Sequence, residues 1–68
     1  MNGYSPSAMW GTFEVVEAGG EYRWRLRDAQ GELVAQSQGY IWKSAALDAI
    51  ELVRSVIAGA EVVDLTAD

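Results

Sequence analysis

Sixty-eight residues with no cysteine, no histidine, ten acidic against five basic side chains and half of the chain apolar make a small folded protein, not a disordered acidic tail. Those counts exclude disulfides, cysteine nucleophiles, serine–histidine triads and imidazole bases, and leave zinc without its two commonest ligands. The net charge of −5 and a pI near 4.4 argue against nonspecific attraction to nucleic acid or to an anionic membrane. A core this small supplies roughly 3–5 kcal/mol, so oligomerisation is the remaining common source of stability.

Residues 1–8, which hold the single proline, read as a flexible lead-in to one domain over 9–66, with 67–68 as a tail. The lead-in has neither the charge nor the apolar run of a signal peptide, and no stretch approaches the ~20 apolar residues that span a bilayer. A cytoplasmic location is expected.

From Trp10 the pattern alternates, with Phe13 and Val15 on one face of a strand over 10–16 and Thr12 and Glu14 on the other. Glu17-Ala18-Gly19-Gly20-Glu21 breaks it, and two adjacent glycines suit a hairpin turn because they adopt positive φ without steric cost. Tyr22-Arg23-Trp24-Arg25-Leu26-Arg27 is the clearest period-two run, three apolar residues facing one way and three arginines the other. Asp28-Ala29-Gln30-Gly31 has turn chemistry, and a third strand is expected over 32–37. Placing Arg27 opposite Glu32 sets Leu26 against Leu33 and Trp24 against Ala35. Placing Val15 opposite Tyr22 sets Phe13 against Trp24 and Glu14 against Arg23. The expectation is a three-stranded antiparallel meander.

Gly39-Tyr40-Ile41-Trp42-Lys43 reads as a connector, and Ser44 as the N-cap of a helix over 45–58. At 100° per residue, Ala46, Ala49, Ile50, Val53, Val56 and Ile57 share one arc, with Asp48, Glu51 and Ser55 opposite. Gly59 suits the left-handed position that ends a helix. Residues 60–66 are too few for a second helix and are expected to form a fourth strand, giving an α+β chain in the order βββαβ. Leu47 and Leu52 widen the apolar arc of the helix. One helix on a three-stranded sheet leaves edges and apolar surface that a second copy of the chain would cover.

Gly20-Glu21-Tyr22-Arg23-Trp24-Arg25-Leu26, then Gly31-Glu32, Ala35, Ser37, Gly39-Tyr40, Lys43, Ile50 and Val53, resemble the YegP-like family of small bacterial and archaeal proteins. Phe13-Glu14-Val15 and Ala60-Glu61-Val62-Val63-Asp64 extend the likeness over 10–65. The resemblance implies β3-αβ units, in tandem or as two subunits, that build one sheet by exchanging C-terminal strands. A chain with a single unit is then expected to be a homodimer, with Val62 and Val63 paired into the partner's sheet and Leu65, Leu52 and Trp42 at the seam. The family's function is unknown. Two departures stand out: Asp48-Ala49 where many members have Asn-Gly, and Trp42 where small hydroxyl residues are common.

Three sets of residues are candidates for binding. Arg23, Arg25 and Arg27 form a row that suits phosphate or carboxylate, unless cross-strand Glu14 and Glu32 balance it. Trp10 and Trp42 stand apart from Tyr22 and Trp24, which alternate with charge and belong inside, so they are candidate contact residues. Tyr40 and Lys43 precede a helix N-terminus, where an anion can sit, although a lysine stem there also serves to cover aromatic surface. The carboxylates fall at turns and exposed strand positions, with no pair that would split pKa values. The expectation is a non-enzymatic homodimeric interaction module without metal or cofactor, and the alternative is a nucleic-acid-associated protein using the arginine face and exposed aromatics.

Overall fold

The computed structural model describes residues 10–67; the expected lead-in at 1–8 lies outside them. Four elements follow in order: β1 (Thr12–Ala18), β2 (Glu21–Arg27), β3 (Leu33–Gln36) and α1 (Lys43–Ile57). The strands form one antiparallel sheet in the order β1-β2-β3, and α1 packs on β2 and, less extensively, on β1. This is the α+β meander with one helix that the alternation predicts.

The register of β1 on β2 differs from the expected one by two residues. Ala18 lies opposite Glu21, Val15 opposite Trp24, Phe13 opposite Leu26 and Glu14 opposite Arg25. The cause is the turn: Gly19 and Gly20 have φ of 61° and 82°, so they alone reverse the chain and the strands pair right up to them. A shift of two preserves the side-chain alternation, so the apolar faces still meet. Phe13 packs edge-on against the buried Trp24, ring centroids 5.4 Å apart.

At the second turn, Asp28 Oδ1 accepts the amides of Gln30 and Glu32 at 2.9 and 3.0 Å, and Gly31 adopts φ 87°. Beyond it the pairs are Arg27 with Leu33, Leu26 with Ala35 and Arg25 with Gln36, so a bulge falls between Leu26 and Arg27. The expected pairs Leu26–Leu33, Trp24–Ala35 and Arg27–Glu32 therefore do not form. Ser37 takes the place beside Trp24 instead, its amide donating to the Trp24 carbonyl at 2.9 Å and its Oγ accepting the Trp24 amide at 3.0 Å. Three residues later Tyr40 bridges to Tyr22 through two backbone hydrogen bonds of 2.7 Å, which returns the chain to the N-terminal end of β2.

The helix starts there, two residues earlier than expected. Its N-cap is Trp42 in extended conformation with no side-chain cap, and Ser44 lies inside the first turn rather than capping it. At the other end Ala58 is the C-cap and Gly59 donates to the Val56 carbonyl at 3.2 Å. Gly59 does not take the left-handed conformation, because the helix tightens into a final turn instead of reversing.

The helix begins just after the Tyr22–Tyr40 bridge and packs on β2 and β1. Ala46 is fully buried and Ile50 is 8% exposed. Ile57 points within about 20° of Ala46 at 100° per residue, yet it is 54% exposed. Fifteen residues at 1.5 Å make the helix about 22 Å long, close to the roughly 23 Å that seven strand residues span. Val56 and Ile57, expected in the core, are both more than half exposed. Residues 60–67 then continue with no helix or strand and no sheet partner among the described residues.

Candidate interaction surfaces

Trp24 is buried on the helix side of β2, so period two turns Arg23, Arg25 and Arg27 to the opposite face of the sheet, away from α1. Two of the three are engaged. Arg27 Nε donates to Glu14 Oε1 at 2.9 Å and its Nη1 to the Gly31 carbonyl at 3.1 Å. Arg23 Nη2 donates to Glu21 Oε1 at 3.1 Å and its Nη1 to the Ser37 carbonyl at 3.4 Å. Acidic partners were expected, but from Glu14 on Arg23 and Glu32 on Arg27. The two-residue register shift moves Glu14 opposite Arg25, from where its carboxylate pairs diagonally with Arg27, and the bulge draws Glu32 into the turn, where its carbonyl accepts the Asp28 amide at 2.9 Å.

Arg25 stands between these pairs with no hydrogen-bond or ion-pair partner for its side chain among the described residues. The Glu21–Arg23 pair depends on Gly39, where a Cβ would lie 2.7 Å from the Glu21 carboxyl carbon. The row is therefore one uncommitted guanidinium flanked by two neutralised ones. That is a weak platform for a polyanion, whose binding scales with the number of phosphates neutralised.

Tyr40 is half-buried and held by its bridge to Tyr22, whereas Ile41, Trp42 and Lys43 are exposed. Lys43 opens α1 on the helix side of the sheet, so the structure does not bring it to the arginine row. Trp10 is exposed as well, at the other end of the sheet. It precedes Gly11, whose neighbour across the strands is the Arg27 carbonyl, while Trp42 follows the bridge at Tyr22. Five residues of β2 separate those two anchors, about 17 Å, so the two indoles do not form one stacking platform.

Most of the exposed apolar side chains lie elsewhere. Val62 is 97% exposed, Val63 67% and Leu65 90%, and Leu52, Leu47, Val56 and Ile57 are exposed along the helix. Beside them sequence reading missed Leu33 and Val34 on β3 and Ile41 before the helix, all exposed. Val34 escapes a period-two reading because the bulge inserts it as an extra residue; Ile41 had no pattern to mark it. Asp64 Oδ1 accepts the Thr66 hydroxyl at 2.6 Å and the Thr66 amide at 2.9 Å, and these bonds, the hydroxyl's first, hold its carboxyl below the ordinary range. Among the described residues no group of three or more acidic side chains could hold a metal, and no helix is long and apolar enough to cross a membrane.

Comparison with known proteins places these features in a family. A family model described as a domain of unknown function, DUF1508, matches residues 17–64. A UPF0339 protein of Agrobacterium fabrum is 44% identical over 55 residues, covering 79% of this chain and 89% of that protein. A UPF0339 protein of Neisseria meningitidis serogroup B is 43% identical over 51 residues, covering 74% and 91%. The solution structure of a Haloferax volcanii protein superposes with a TM-score of 0.71 at 35% identity, over 81% of this chain and 95% of that one.

Proposed function

The chain belongs to the DUF1508 family, the YegP-like family its residues resemble, and on that premise we propose that it is a non-enzymatic homodimeric interaction module whose residues 60–66 pair into the sheet of a second copy. One observation carries the reading. The buried apolar core of the described chain is Trp24, Ala46 and Ile50, while twelve large hydrophobic residues are exposed. Single exposed apolar residues are ordinary, but here they outnumber the core and concentrate on the last helical turns, the strand next to the bulge and the C-terminal segment. Covering Val62, Val63 and Leu65 alone stabilises by about 1.5–3 kcal/mol each, comparable in sum to what a domain of this size holds by itself.

Removing residues 60–68 tests the reading. The truncated chain is expected to lose its native circular dichroism at room temperature, and retention of a cooperative melt close to that of the full chain would contradict the proposal. A role in binding nucleic acid needs the arginine row free, and the Glu14–Arg27 and Glu21–Arg23 pairs weigh against it. Salt-dependent binding of a labelled oligonucleotide, lost in Arg25→Glu, would favour that role instead.

A further inference from the structure

α1 covers one face of the sheet, and among the described residues no other helix or strand lies against the second. We infer that this second face docks a protein segment through one carboxylate, seated on Arg25. Along the paired strands the face carries the three arginines of β2 and two glutamates, Glu14 and Glu21. Both carboxylates are committed to the outer arginines. Glu14 lies directly opposite Arg25 but reaches diagonally to Arg27, so the nearest acidic side chain is diverted. What remains is one positive charge, on the half-buried central arginine, in a chain whose net charge is −5. That combination admits a single carboxylate and disfavours a chain of phosphates, whose attraction grows with the number of cations it meets.

The chemistry beside Arg25 suits a peptide. A carboxylate takes two parallel N–H bonds from the planar fork of an arginine. Gln36, paired opposite Arg25 on β3, has a side-chain amide with no partner among the described residues and can donate a third. An exposed ion pair by itself binds little, so the ligand must bury apolar surface as well. Val16 lies opposite Arg23, and the bulge brings the half-exposed Leu33 opposite Arg27, so both share the face. They stand diagonally on either side of Arg25, each about 7–8 Å away. Residues two apart in an extended peptide project on one side at about 7 Å spacing. The fit is therefore a strand-like segment with an acidic residue at its centre and an apolar one two positions to each side. The inference names a partner for the interaction module proposed above, but it uses the face of the sheet and not its edges, so it does not rest on the exchange.

NMR titration of the isotope-labelled full chain with the end-capped pentapeptide VTETV, whose glutamate is its one charge, tests this. At up to about 5 mM peptide, amide shifts are expected at Val16, Arg25, Leu33 and Gln36 and at the Arg25 side-chain Nε–H, with the α1 amides unmoved. The peptide VTQTV, and VTETV added to Arg25→Gln, are each expected to bind about tenfold more weakly. Equal binding of the glutamine peptide, or binding retained in Arg25→Gln, means that no carboxylate sits on Arg25 and overturns the inference. The absence of shifts on this face at the highest concentration overturns it too, as do shifts confined to the helix side. Inorganic phosphate or an oligonucleotide that moves the same signals at a lower concentration than VTETV assigns the face to phosphate and refutes the peptide. None of these readouts depends on the mass of the chain, so a monomer, which fails the exchange proposed above, leaves this test intact.

Discussion

Replacing Val63 by serine separates the isolated chain from the assembled one. Within one chain Val63 is two-thirds exposed, and a substitution at such a site changes stability by no more than about 0.5 kcal/mol. If a second copy covers it, the loss is the burial of a valine side chain, about 1.5–3 kcal/mol. For a domain of this size each kcal/mol moves Tm by about 4–8 °C, so the expected fall is between about 6 and 24 °C. Val34→Ser, on the bulged β3 edge and 59% exposed, is the control and should move Tm by no more than a few degrees. Melts followed by far-ultraviolet circular dichroism at two chain concentrations tenfold apart complete the test, because the Tm of a dimer rises with concentration and that of a monomer does not. A Val63→Ser melt within 2 °C of the parent, independent of concentration, would refute the reasoning.

Three further outcomes follow from the geometry. Gly11→Ala should cost about 1–3 kcal/mol in urea denaturation, since Gly11 has φ 133° and its Cβ would sit 2.7 Å from the Arg27 carbonyl oxygen; Gly39→Ala displaces only a flexible carboxylate from an exposed pair and should cost less than about 1 kcal/mol, so the reverse ranking would contradict both assignments. Arg25→Ala should leave stability within about 0.5 kcal/mol, whereas Arg27→Ala, which breaks its bonds to Glu14 and Gly31, should be measurably destabilising in the same assay. Thr66→Val should raise the Asp64 pKa toward the ordinary carboxylate value, as read by NMR titration of the carboxyl carbon. Because that pKa is depressed in the folded chain, its contribution is present above the unfolded value and is lost as pH falls through the folded one; an unchanged titration would mean that the 64–66 turn is not formed.

Much of the fold was legible because period-two and helical patterns survive local errors. Tyr22 to Arg27 announced β2, and Ala46 with Ile50 announced the buried stripe of α1, since in each the alternation of apolar and polar residues is unbroken. Register was not legible, because the same apolar faces meet whether Val15 lies opposite Tyr22 or Trp24. The choice belongs to the conformation of Gly19 and Gly20. The bulge that released Glu32 and exposed Val34 arises from Asp28 closing its turn through a side-chain oxygen, a local choice that alternation does not encode. Ser44 failed as a cap because the Tyr22–Tyr40 bridge ends at a point from which the helix already begins. The arginine row was legible as a row, but its neutralisation depended on the register. The resemblance to the YegP-like family held over the matched 17–64 because it rested on residue identities, which register does not disturb.

The central claim is that this chain completes its core with a second copy, and sedimentation equilibrium of the untagged protein at micromolar concentration tests it most directly. The account predicts a single species at about twice 7.4 kDa, dissociating only on dilution or on loss of residues 60–66. A folded, stable species at the mass of one chain across the same concentrations would contradict it.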